Sequence, residues 1–274
     1  MKKVLIVFDG KHFSEGAMQM AEWLSEKQTL LMTGVFLSPI DYREVIGYSG
    51  LGMGAPVLMP PFSEDDKLVG ESIMKFEKRC QKEGFEYRVH KDTDLFALQE
   101  LISETRFADL MIVSSELFYE NIEKEQPNEY LRKTLHESEC PVMLVPEHFI
   151  SPFSLILSYD GKAASMFAMK QFSYLFPELC EMNTLIISAE EESDGEMPNS
   201  ALMEEWAARH FPILTVENLA GESREGLANW IGDKRGSLLV TGAFGRGELS
   251  SLFRKSFVTA LIRQNRIPIF IAHQ

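Results

Sequence analysis

The sequence predicts an α/β protein made of two copies of one doubly wound unit, each a five-stranded parallel sheet with helices on both faces. Three observations predict it. Short apolar, β-rich runs alternate with amphipathic stretches along the chain, the second half repeats the order of the first, and the halves match in residue detail at both ends. Strands alternating with helices imply right-handed crossovers and a sheet covered on both sides.

In the first half, KVLIVF (3–8) reads as a strand closed by the turn residues Asp9-Gly10. Ser14 is placed to cap a helix whose Ala17, Met18, Ala21, Trp23 and Leu24 form an apolar stripe. LLMTGVFL (30–37) is a second strand, and residues 64–83 suit a helix that Gly84 ends in the C′ role. FEYRVH (85–90), a helix near 94–105, LMIVSS (110–115), a helix near 128–138 and VMLV (142–145) complete the unit. The second half repeats the order with LILSY (155–159), LIISA (185–189), ILTVENL (213–219), LLVTG (238–242) and IFIA (269–272) as strands.

The repeat is visible in the letters. Setting VLIVFDGKHFSEGAMQMA (4–21) on LILSYDGKAASMFAMKQF (155–172) aligns Asp9 with Asp160, an offset of 151. Asp-Gly-Lys, a serine (Ser14, Ser165) and Ala-Met (Ala17-Met18, Ala168-Met169) then coincide. ADLMIVSS (108–115) matches GSLLVTGA (236–243), and CPVMLVP (140–146) matches IPIFIAH (267–273), at an offset of 127. The 24-residue difference is extra chain inside the first half. Residues 39–63, rich in Gly, Pro and Met and without helical or strand period, are the insertion; the second half has only the acidic EEESDGEMP (190–198) there. The domains are therefore drawn at 1–148 and 152–274.

Composition narrows the function. The chain of 274 residues carries 27 basic and 41 acidic residues, a net charge of −14. That balance argues against nucleic acid and against an anionic membrane surface, because both need a basic face. The opening apolar run stops at Asp9-Gly10, too short for a signal peptide, and no stretch approaches the ~18 apolar residues that span a bilayer. Cys80, Cys140 and Cys180 are scattered and lack C-x-x-C spacing, as expected of reduced, buried thiols in a cytoplasmic protein. The six histidines show no metal-ligand spacing, and no Ser/His/Asp or Cys/His set assembles. Gly50, Gly52 and Gly54 imitate part of a dinucleotide fingerprint but neither follow a strand nor open a helix.

Ligands of such sheets bind at the carboxyl ends of the strands, near the switch in strand order. Two segments of the second half lie there: Ser158 to Lys162 after the first strand, and Thr241 to Gly247 after the fourth. Glycines let backbone N–H groups approach phosphate oxygens, a following helix adds its positive end, and Arg246, Arg254 and Lys255 supply local positive charge. The glycines alone are equally consistent with a tight strand-to-helix turn.

At these residues the sequence resembles the universal stress protein family: Asp after strand one, then G-x-x-G, about nine residues, and G-[ST] before the last helix and strand. Gly242-Ala-Phe-Gly245, the nine residues Arg246–Arg254, and Lys255-Ser256 reproduce the frame, with lysine in the third glycine slot. The resemblance covers essentially the whole chain, including the tandem duplication. It implies a Rossmann-like, flavodoxin-like unit of the adenine nucleotide alpha hydrolase type. It also implies ATP or another adenine nucleotide as ligand, with Mg²⁺ as a companion. The implied site is Asp160 near adenine and ribose, and Thr241, Gly242, Gly245, Arg246, Lys255 and Ser256 around the phosphates. On residues alone, Asp160 reads equally as an Asx-turn residue and Ser256 as a helix cap. Lys255 either blocks the third loop contact or replaces it with an ammonium, and the sequence leaves both open.

The first half lacks the loop. The 127 offset puts Ser115, Phe118, Asn128 and Glu129 where the second half has Gly242, Gly245, Lys255 and Ser256, so no glycine remains and a carboxylate faces any phosphate. Three functions compete: a nucleotide-responsive stress protein without catalysis beyond slow ATP hydrolysis, an interaction module that has lost nucleotide, and an adenylate-handling enzyme. The last lacks a paired-carboxylate or His signature, and fold alone confers no activity. The resemblance also implies an intramolecular pseudo-dimer, with CPVMLVP and IPIFIAH pairing antiparallel. A homodimer of whole chains and a further protein partner stay open.

Overall fold

β1 (Lys2–Phe8), β2 (Leu30–Leu37), β3 (Glu86–Asp92), β4 (Leu110–Ser114) and β5 (Val142–Val145) make the first half. β6 (Ser154–Ser158), β7 (Asn183–Ser188), β8 (Leu214–Asn218), β9 (Ser237–Thr241) and β10 (Ile269–Ile271) make the second. The computed structural model describes residues 1–9, 12–37, 64–92, 97–116, 134–188, 197–219, 223–242 and 257–273. Helices α1 (Glu15–Ser25), α2 (Glu64–Glu83), α3 (Ala97–Thr105), α4 (Ala163–Leu175), α5 (Ser200–Ala207), α6 (Arg224–Gly232) and α7 (Phe257–Gln264) alternate with the strands, and residues 134–137 are also helical. The insertion expected at 39–63, with its glycine and methionine cluster, lies outside the described residues.

The ten strands form one sheet in the order β3-β2-β1-β4-β5-β10-β9-β6-β7-β8, so each half has the 3-2-1-4-5 order of a doubly wound unit. Every neighbouring pair is parallel except β5 and β10, which run antiparallel with Ile269 opposite Leu144, Phe270 opposite Met143 and Ile271 opposite Val142. The order reads the same from either edge, and the seam between the halves is this central pair. Two polar contacts reinforce it: Ser115 Oγ donates to Asn265 Oδ1, and the His273 ring meets the His136 carbonyl at 3.0 Å.

Both faces are covered, and strand alternation sorts the side chains between them. Val4, Ile6 and Phe8 of β1 belong to the core layer covered by α1, α2, α4 and α5 on one face; Leu5 and Val7 belong to the layer covered by α3, α6 and α7 on the other. Each core layer runs through the seam, with Met143 and Phe270 in the first and Leu144 and Ile269 in the second. Ser14 caps α1 by accepting from the Ala17 N–H, and every residue of the predicted stripe is buried. Gly84, at φ +73°, closes α2 in the left-handed conformation that other residues adopt at a cost.

All three thiols are buried, and burial pushes each up to about 12, which keeps them in the unreactive protonated form. No helix among the described residues is long and apolar enough to cross a membrane.

α2 is tied to α1 by a four-residue ion cluster. Arg79 grips both carboxylate oxygens of Glu22 at 2.5 and 2.7 Å and also reaches Glu15, which Lys75 contacts from the next turn. Burial alone would raise the Glu15 carboxyl above its ordinary 4.5, but hydrogen bonds from Lys75 and Arg79 outweigh it and hold it lower. A carboxyl depressed on folding contributes stability that is complete above pH 4.5 and is lost as pH falls through the folded value. Arg79→Ala is expected to cost about 1 kcal/mol at pH 7, a charged hydrogen-bond pair discounted for partial solvent exposure. Urea melts at pH 7 and pH 3 check this: the gap between parent and variant should narrow at the lower pH, and a gap that widens would refute the assignment.

Candidate functional site

β6 and β9 are parallel neighbours, with Leu157 opposite Val240, so the residues that follow them emerge side by side. From β6 the chain winds outward through β7 and β8, then returns to β9 on the other flank of β6. The switch in strand order therefore falls between β6 and β9, the place where ligands of such sheets bind in a crevice at the strand ends. Asp160 and Thr241-Gly242 stand on its two sides.

The amino end of α4 lies on this crevice at backbone contact. A Cβ added to Gly242 would sit 2.0 Å from the Ala164 carbonyl oxygen and 2.5 Å from the Ser165 nitrogen. Glycine is required there for space; no positive φ is involved. Ser165 Oγ in turn donates to Asp160 Oδ1 at 2.8 Å, and the Lys162 N–H donates to the same oxygen at 3.0 Å. The Asp160 carboxylate is thus held by an Asx turn and by a serine of the next helix, while Oδ2 faces the Lys162 ammonium at 3.5 Å. The side chain keeps 35% of its surface exposed.

A second segment closes the turn from the other side. Gly161 has φ +74°, and a Cβ there would meet Pro198 Cβ at 2.5 Å; the Tyr159 hydroxyl donates to the Pro198 carbonyl at 2.7 Å. Beside this contact is a hollow of about 220 Å³ walled by Tyr159, Lys162, Met166, Asn199, Leu202 and Met203. It is smaller than the roughly 300–1,000 Å³ that enclose a drug-sized ligand, so a nucleotide would occupy it only in part. The larger hollow, about 670 Å³, lies away from the strand ends, between α1 and α2 around the Arg79 ion cluster.

Of the seven site residues expected from sequence, the structure brings together Asp160, Thr241 and Gly242. Thr241 is buried at the end of β9, and its carbonyl accepts from the Ala272 N–H at 3.4 Å. Gly245, Arg246, Lys255 and Ser256 lie outside the described residues, as does the role of Lys255. Sequence reasoning assigned no role to Ser165 or Pro198. The coincidence of Ser14 and Ser165 in the repeat was the available signal for the first; the contact of Pro198 with Gly161 has none, since it joins positions far apart in the chain. Among the described residues no group of three or more His, Cys, Asp or Glu is placed to hold a metal ion.

The first half is arranged differently at the matching positions. Asp9 takes the His12 N–H on Oδ1 at 2.7 Å and the His12 ring on Oδ2 at 2.9 Å. Ser115, which stands where the second half has Gly242, is buried and turned to Asn265 across the seam.

No protein-family model matches the sequence, and no curated protein matches it. Solved structures do. A universal stress protein from Archaeoglobus fulgidus superposes with a TM-score of 0.68 at 15% identity, covering 100% of this chain and 96% of that one. A protein of Pseudomonas aeruginosa designated a universal stress protein superposes at 0.56 and 11% identity, covering 100% and 93%. Over its whole length, with the tandem repeat and the β5–β10 seam, this chain has the fold of the universal stress proteins.

Proposed function

We propose that this protein is a tandem universal stress protein of the cytoplasm whose second domain takes ATP or a related adenine nucleotide as a regulatory ligand. The observation that supports this reading is the convergence of Asp160 and Thr241-Gly242 on one crevice at the strand switch, with the amino end of α4 beside them. Asp160 Oδ2 would accept from the ribose or adenine. The segment from Gly242 through Gly245 and Arg246 to Lys255 and Ser256 would hold the phosphates, with Mg²⁺ shared among their oxygens. Binding rather than turnover is the proposed output, with Asp160 serving as an acceptor for the ligand. The domains run 1–148 and 152–274, and the seam does within one chain what a dimer interface does between two.

A nucleotide-free interaction module is the second reading, favoured by the internal partners of Asp160 and by the small volume of the adjoining hollow. Calorimetric titration with ATP, with and without Mg²⁺, separates the two. Micromolar affinity, about −8 kcal/mol, is expected for the intact protein and its loss for Gly245→Phe at unchanged melting temperature. No heat of binding to the intact protein would leave the interaction module.

A further inference from the structure

The amino end of α1 in the first half already holds an anion, and the anion belongs to the chain. Ser14 Oγ donates to Glu147 Oε1, and the backbone N–H groups of Glu15 and Gly16 donate to Glu147 Oε2 at 3.0 and 3.3 Å. A carboxylate with a hydroxyl and two helix-terminal N–H donors is the pattern by which helix ends bind phosphate and carboxylate ligands. Glu147 reaches the helix because β5 ends beside it: a Cβ on Gly16 would lie 2.1 Å from the Pro146 carbonyl oxygen. Glu147 is half-buried, Ser14 is buried, and the chain separation is over 130 residues, so the contact is a tertiary one.

The repeat makes the contrast specific. Ser14 and Ser165 are the same position of the two halves, yet Ser165 donates to Asp160 and Ser14 to Glu147. Asp9 takes His12 instead, and the second half has Ala163 at that position, which has no group to offer. Ser115 donates to Asn265, whereas at the matching Gly242 the backbone at the amino end of α4 fills the place of a side chain. Asp9, Ser14 and Ser115 are thus each committed to a partner within the protein.

We propose that the amino end of α1 is closed to anionic ligands by the chain's own Glu147, its built-in occupant. The amide resonances of Glu15 and Gly16 read this directly during titration of the full-length protein with inorganic phosphate. In the parent they stay in place. In Glu147→Ala they shift in a saturating manner, and phosphate at a hundredfold excess over its Kd raises the melting temperature of that variant by about 5 °C more than that of the parent. Glu147→Gln, which keeps an acceptor oxygen and so guards against loss of folding, gives the same shifts at higher phosphate. Shifts at Glu15 and Gly16 in the parent would overturn the proposal, as would equal phosphate responses in parent and variants. Because both amides belong to the first half, the outcome does not depend on whether ATP binds the second.

Discussion

Gly242→Ala should lower the stability of the protein by about 3 kcal/mol, the upper part of the range for forcing an added carbon into a packed site. The added Cβ would meet backbone, 2.0 Å from the Ala164 carbonyl oxygen and 2.2 Å from its carbon, and backbone cannot rotate aside as a side chain can. Relief requires α4 to withdraw from the end of β9, which also draws Ser165 away from Thr241. The melting temperature should fall by about 6–12 °C. Gly70→Ala is the control: its Cβ meets nothing within 4 Å, it lies within α2, and alanine there should stabilise by roughly 0.5–1 kcal/mol. Equal melting temperatures for the two variants would mean that α4 does not rest on the strand end.

Phe270→Ala is expected to cost about 3–5 kcal/mol, the range for emptying a buried aromatic site. Phe270 is fully buried in β10 and packs edge-on to Phe172 at 5.3 Å and Phe176 at 6.1 Å between ring centres, so its loss strips two rings of α4 and its carboxyl end of their partner. Its neighbour across the seam is Met143 of the first half. Because the apolar layer on this face continues from Met143 through Phe270, both halves should lose stability together. Denaturant unfolding followed by far-ultraviolet circular dichroism and by tryptophan fluorescence (Trp23 in the first half, Trp206 and Trp230 in the second) should give one coincident, lowered transition. Two separated transitions would show that the halves fold independently and that the seam contributes little.

What was legible from the letters was whatever nearby residues decide. The runs at 30–37, 64–83 and 142–145 emerge as β2, α2 and β5 with the same bounds, and Ser14 caps α1, because period, turn chemistry and capping act over a few residues. The halves were legible because duplication leaves the same letters at the same strand ends. The candidate site was legible in part: Asp160 and Gly242 were marked by type and position, and parallel pairing of β6 with β9 brings them to one crevice.

Which oxygen meets which hydrogen was not legible. Two serines with the same neighbours in the repeat, Ser14 and Ser165, take different carboxylates, and two aspartates after the same strand, Asp9 and Asp160, are held by a histidine and by a serine. Those choices depend on side chains arriving from elsewhere, as Glu147 does from the end of β5, and on a carbonyl lying 2.0 Å from where a Cβ would be. Short-range order follows from local sterics and periodicity, so the elements and the repeat were readable; the occupancy of each crevice depends on atoms brought together only when the sheet closes, and the tertiary structure alone decides it.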